Sequence, residues 1–211
     1  MNWDRVGVPD GLTQRARWFV GAHGVRVDAL DVASWRERWL GFGIPAEEID
    51  RVDVYQRRWG GLVLPPAPMY EGGPRYLNAD TPEPSPDDGW WFEAGEQRTA
   101  VPFGFMVGPT GEFGIHGNHW VPLHATVEGW VESLALAHHA TTSAQSITRL
   151  TGDEVETVDL DDYELVPEVE GLADSWWRDD DTLVAVYTGE AEAFGFPQDR
   201  TTFVYEFASS S

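Results

Sequence analysis

The chain has 211 residues, of which 42% are hydrophobic and 13% aromatic, and a formal charge of −22 from 36 acidic side chains against 14 arginines. That apolar content suffices for a packed core, so the acidity does not signal disorder. It argues against nucleic acid and anionic membrane surfaces as partners, because like charges repel.

There is no Cys, which excludes disulfides, thiolate metal sites and Cys nucleophiles. There is no Lys either, which excludes Schiff-base chemistry and a P-loop lysine. A GC-rich coding sequence is the simplest source of that bias. The charge is unevenly placed. Residues 1–60 hold nine acidic and nine Arg side chains, whereas residues 61–211 hold 27 acidic side chains and five Arg. The N-terminus shows no basic start leading into an apolar run, and no stretch of about 18 apolar residues occurs. A cytoplasmic chain is therefore expected.

Residues 1–60 read as helical. Leu12–Val20 is a short candidate, and Trp35, Trp39 and Leu40 recur at helical spacing in the next. Pro45 suits a first helical position, with Glu47, Glu48 and Asp50 in the first turn and Arg57 and Arg58 in the last, as the helix dipole favours. Ile49, Val52, Tyr55 and Trp59 form one apolar stripe. Gly60-Gly61 permits a left-handed end, and Leu62–Leu64 reads as a short strand.

Residues 65–89 are rich in Pro, Gly, Asp and Ser and read as a long loop, with a strand around Arg75–Asn78. Trp90–Phe92, Val101–Val107, Glu112–Ile115 and Trp120–Leu123 read as an antiparallel meander. Thr126 reads as an N-cap for a helix carrying Val127, Trp130, Val131, Leu134 and Ala137, running to about Ala140. A short helix is expected around Ala144–Leu150. Tyr163–Val169, Thr182–Thr188 and Thr201–Phe207 read as strands.

No catalytic motif stands out. His116, His119 and His124 lack helical ligand spacing and a nearby acidic ligand, and His116 and His119 read as hairpin-tip residues. Asp159-Leu-Asp161-Asp162 and Asp179-Asp180-Asp181 lack the calcium-loop register and read as solvated charge runs. No serine sits in a nucleophile elbow. No cofactor and no metal are expected.

The tryptophans carry more information. Trp35, Trp39, Trp59 and Trp130 occupy stripe positions and are expected in the core. Trp90-Trp91 and Trp176-Trp177 are adjacent pairs, so in a strand one of each faces out. Both pairs sit beside acidic residues. An aromatic anchor with an acidic rim suits a basic protein partner. The candidate binding residues are Trp90, Trp91, Glu93, Trp176, Trp177, Asp179, Asp180 and Asp181.

Segment order adds a resemblance. A helix ends in YQRRWGGLVLPP (Tyr55–Pro66). A meander follows with VPFGFMVGPTGEFGI (Val101–Ile115), then a strand and helix, HWVPLHATVEGWVESLALA (His119–Ala137). Over about residues 40–140 this resembles the SUKH superfamily, which includes bacterial immunity proteins and cell-wall-synthesis regulators. Gly60-Gly61, Gly111, Thr126 and Trp130 fill the places of its turn, hairpin, helix cap and helix aromatic. The Pro-rich loop at 65–89 and the acidic tail after 141 depart from that pattern. The resemblance implies an α+β fold and binding without catalysis, in many bacterial members the neutralisation of a nuclease toxin.

The expected architecture is α+β, with N-terminal helices on a mainly antiparallel sheet. Residues 1–140 would form a SUKH-like domain and residues 141–211 an acidic β-rich extension packed on the same sheet. The leading functional expectation is a monomeric, non-enzymatic immunity protein occluding a basic toxin. The alternatives are a carbohydrate-active or other hydrolase using a carboxylate pair beside Trp90-Trp91, and a SUKH-type regulatory scaffold without a toxin.

Overall fold

In the computed structural model, which describes residues 7–85 and 88–208, three helices lead the chain. They are α1 (Gln14–His23), α2 (Val32–Gly41) and α3 (Ala46–Trp59). Each start has a local cause. Thr13 and Asp31 cap α1 and α2 by accepting the N–H of Ala16 and Ala33. Pro45 stands one place earlier than expected, as the residue before α3. The stripe Ile49, Val52, Tyr55 and Trp59 is buried throughout.

A two-stranded ribbon pairs β1 (Val25–Arg26) with β2 (Leu62–Val63). The left-handed residue after α3 is Gly61, with φ of 74°. It bonds both ways, donating to the Leu77 carbonyl at 2.8 Å and accepting from the Val27 amide at 2.9 Å. A Cβ there would collide with the Val27 carbonyl.

The first sheet is the expected meander. Its strands are β3 (Pro74–Leu77), β5 (Trp90–Gln97), β6 (Gly104–Val107), β7 (Phe113–His116) and β8 (Trp120–His124), in that order, with β4 (Glu83–Pro84) paired to the start of β5. The long loop at 65–89 therefore contains β3, β4 and a tight turn at Tyr70–Gly72.

Helix α4 (Val127–Ser143) is the organising element. Thr126 caps it as expected, and it runs one turn further than Ala140. It is buried on several faces, so no single apolar stripe describes it. Trp130 stacks on Phe113 of β7 at 4.7 Å. Ser133 accepts the indole N–H of Trp176 at 2.9 Å. Glu132, buried, accepts both the amide (2.6 Å) and the hydroxyl (2.7 Å) of Thr13 ahead of α1.

The C-terminal residues build a second antiparallel sheet. Its strands are β9 (Ser146–Thr151), β10 (Glu164–Leu165), β11 (Asp174–Arg178), β12 (Thr182–Tyr187) and β13 (Thr201–Glu206), ordered β10-β11-β12-β13-β9. A short helix, α5 (Gly189–Phe194), joins β12 to β13. The first sheet cannot extend beyond β8, because backbone from the 171–173 segment already bonds Leu123 and Pro122 there. A continuous apolar core nevertheless runs from Leu12 to Tyr205, with α4 touching both sheets.

Two further elements differ. The expected helix at 144–150 is strand β9, whose β-branched Ile147 and Thr148 pair with Tyr205 and Val204. The expected strand at 163–169 is cut short by Pro167, which opens a 3-10 turn. Among the described residues no helix is long and apolar enough to cross a membrane.

Candidate functional site

Alternation along the strands sorts the tryptophan pairs. Trp91 is 3% exposed and packs on His116 (4.7 Å) and Trp120 (5.9 Å). Trp176 is fully buried, stacked on Tyr205 at 5.8 Å. These two are corrected to core residues and cannot anchor a partner. Trp90 and Trp177 are half-buried on the other strand faces. They lie in different sheets and share no ring contact. Glu93 is exposed on β5, its carboxyl held above the usual range by partial burial and by Asp80 and Glu83.

Asp179, Asp180 and Asp181 form the exposed β11–β12 turn. The Asp179 amide donates to the Thr182 carbonyl at 2.9 Å, and the Asp179 carboxylate accepts the Asp180 amide at 2.7 Å. Turn chemistry accounts for these aspartates. Among the described residues no three His, Asp or Glu side chains converge as a metal would need. His124 is fully buried, its Nδ1 2.9 Å from the Val169 carbonyl, and burial holds its pKa down at about 4.

A cleft of about 660 Å³ lies elsewhere. It is lined by the 66–72 segment, by Arg149, Thr151 and Thr201 of the second sheet, by Glu190 of α5, and by Gln198 and Asp199. The 66–72 segment owes its shape to four successive residues at positive φ: Tyr70 (57°), Glu71 (49°), Gly72 (89°) and Gly73 (73°). For Tyr70 and Glu71 this backbone is costly, on the order of 1 kcal/mol or more each. Local bonds hold it. The Gly72 carbonyl accepts from the Ala67 amide (2.9 Å) and Arg98 Nε (3.0 Å), and Arg98 also reaches the Leu64 carbonyl at 2.5 Å.

The strongest brace is buried. The Tyr70 hydroxyl lies 2.7 Å from each carboxylate oxygen of Asp174. Asp174 also accepts the amides of Thr188 (3.1 Å) and Gly189 (3.3 Å) at the start of α5. Burial raises the Asp174 pKa to about 7, against the opposing pull of these donors. A Cβ at Gly189 would strike Leu123 and the Tyr70 hydroxyl, so α5 begins hard against this brace. The cleft is thus a seam between the first-sheet loop and the second sheet, pinned at its base.

Electrostatically the cleft is lopsided. Glu190 is half-buried, and its carboxyl is raised first by burial, then by the charges of Asp199 and Glu71. Arg149 is the one cation in the lining, and its guanidinium lies over the Phe203 ring at 5.7 Å. None of these residues was a sequence candidate. The legible signal was faint: Asp174 and Trp176 share a strand face at i and i+2, and Tyr-Glu-Gly-Gly marks a turn.

No family model matches the chain, and neither the curated proteins nor the solved structures give a significant match.

Proposed function

We propose that the chain is a non-enzymatic binding module whose acidic cleft receives a cationic segment of a protein partner. The observation that carries this is the setting of Glu190. Burial first, then the charges of Asp199 and Glu71, disfavour the ionised form of this half-buried carboxylate, and an incoming Arg or Lys would stabilise it. The balanced N-terminal third and the strongly anionic remainder support the same reading, since a one-signed field speeds encounter with a basic protein. The resemblance to SUKH proteins over residues 40–140 makes a cytoplasmic immunity protein against a basic, nuclease-type toxin the concrete form of the proposal, with a toxin-free regulatory scaffold as its nearest variant.

The hydrolase reading expected its carboxylates beside Trp90-Trp91, and the burial of Trp91 removes half of that platform. A smaller cleft of about 380 Å³ lined by Asp88, Glu112 and Trp120 is the one observation that favours it. It predicts hydrolysis of an oligosaccharide that Glu112→Gln abolishes.

A low-salt pull-down from the source organism, eluted by a salt gradient, tests the binding proposal. A basic protein released by salt and lost with Glu190→Gln is expected. Capture indifferent to both salt and Glu190→Gln would contradict it.

A further inference from the structure

We infer that β9 is a docking edge, and that an extended basic peptide segment of the partner adds to the second sheet beside it as a sixth strand. The inference rests on the proposed cationic partner and adds the backbone that would hold it.

Register shows which groups are free. The Gly152 amide bonds the Arg200 carbonyl at 3.0 Å, and Thr151 pairs with Thr201. In an antiparallel ladder bonded and non-bonded pairs alternate. Ser146, Thr148 and Leu150 therefore direct their amides and carbonyls towards β13. Ile147 and Arg149 direct theirs outward. The Thr151 amide, also outward, is taken by the Glu154 carboxylate at 3.3 Å. Among the described residues no strand pairs with this side of β9.

The other sheet edges are closed or short. Leu172 and Ala173 bond the outer side of β8, Gly61 bonds Leu77 at the end of β3, and β10 has two residues. β9 has six, paired to β13 without a bulge and containing no proline. Its apolar Ile147 is 46% exposed. Such an edge is a template for an added strand unless protected by charge, proline or a bulge, and Arg149 is the sole charge.

Charge complementarity selects the occupant. Arg149 and Thr151 lie on the sheet face that lines the cleft. A strand added outside β9 turns every second side chain to that face, within reach of the cleft holding Glu71, Glu190 and Asp199. Long cationic side chains suit it. A second copy of this chain would instead bring two charges of −22 together.

The test uses the full chain and an end-capped nine-residue peptide of alternating Lys and Val, read by amide hydrogen exchange. The amides of Ile147 and Arg149 should exchange fast in the free protein and slowly with peptide. Ile147→Pro removes one outward N–H without touching the β13 ladder. It should weaken binding about tenfold, the worth of one good backbone bond, with the fold checked by circular dichroism. Three results would overturn the inference: binding without protection at these two amides, wild-type affinity in Ile147→Pro, or protection in the free protein that scales with its concentration, which marks a second copy. If Glu190→Gln weakens binding while the two amides stay unprotected, the acidic cleft stands and the docking edge falls. If a Ser–Val peptide protects them as well as the Lys–Val peptide, the edge stands and the basic partner falls.

Discussion

The hydroxyl of Tyr70 sits equally close, at 2.7 Å, to both oxygens of the Asp174 carboxylate, and this contact ties the first-sheet loop to the second sheet. Both residues are buried, so neither can turn to water if its partner is lost. The left-handed backbone at Tyr70 and Glu71 persists because this bond and the Arg98 contacts over-determine it.

Tyr70→Phe should therefore destabilise the protein by about 1–3 kcal/mol, the cost of leaving a buried acceptor short of a donor. Thermal unfolding checks this. The cleft should also loosen, visible as faster amide exchange at Ala67 and Gly73, whose amides close the turn.

Asp174 and His124 should impose opposite pH slopes. Asp174 has a folded pKa raised to about 7, so the stability tied to it is full below pH 4 and is lost as pH rises through 7. His124 has a folded pKa lowered to about 4, so its stability is full above pH 6.5 and is lost as pH falls towards 4. Each slope approaches about 1.4 kcal/mol per pH unit. Between pH 4.5 and 6 the two nearly cancel in the wild type. Relative to wild type, Asp174→Asn should gain stability as pH rises over that range, and His124→Asn should lose it. Urea unfolding at several pH values measures both.

Glu132→Ala should cost about 1–3 kcal/mol, because the buried carboxylate accepts both the amide and the hydroxyl of Thr13 and pairs with Arg15 at 3.5 Å. Thr13→Ala should cost less in the Glu132→Ala background than in the wild type. A double-mutant cycle by chemical denaturation reads that coupling.

Gly73→Ala combines a positive φ of 73° with a Cβ placed 2.8 Å from the Trp130 ring. A loss of about 1–3 kcal/mol is expected. Gly111→Ala has a positive φ but open space around it, and should cost only the backbone strain.

Local physics made much of the fold legible. The stripe on α3, the Thr126 cap and the meander of β5–β8 each follow from a short pattern that one neighbourhood decides. What was not legible depended on partners far along the chain. β9 is a strand because β13 lies beside it, and the Ala144–Leu150 segment alone does not say so. Asp174 lies 104 residues from Tyr70, so no spacing rule could join them. The paired tryptophans announced that one of each faces in, but which one depended on the register of the sheet. The cleft arises where two sheets meet, and Glu71, Glu190 and Asp199 come together only there.

Calorimetric titration with an end-capped arginine-rich peptide, at low and at high salt, tests the cationic cleft most directly. The comparison is the triple variant Glu71→Gln, Glu190→Gln, Asp199→Asn, which changes three side chains at the cleft and leaves the Tyr70–Asp174 brace in place. The account predicts wild-type binding that weakens with salt and falls at least about tenfold in the variant. Equal affinity in the variant, or binding unchanged by salt, would contradict it.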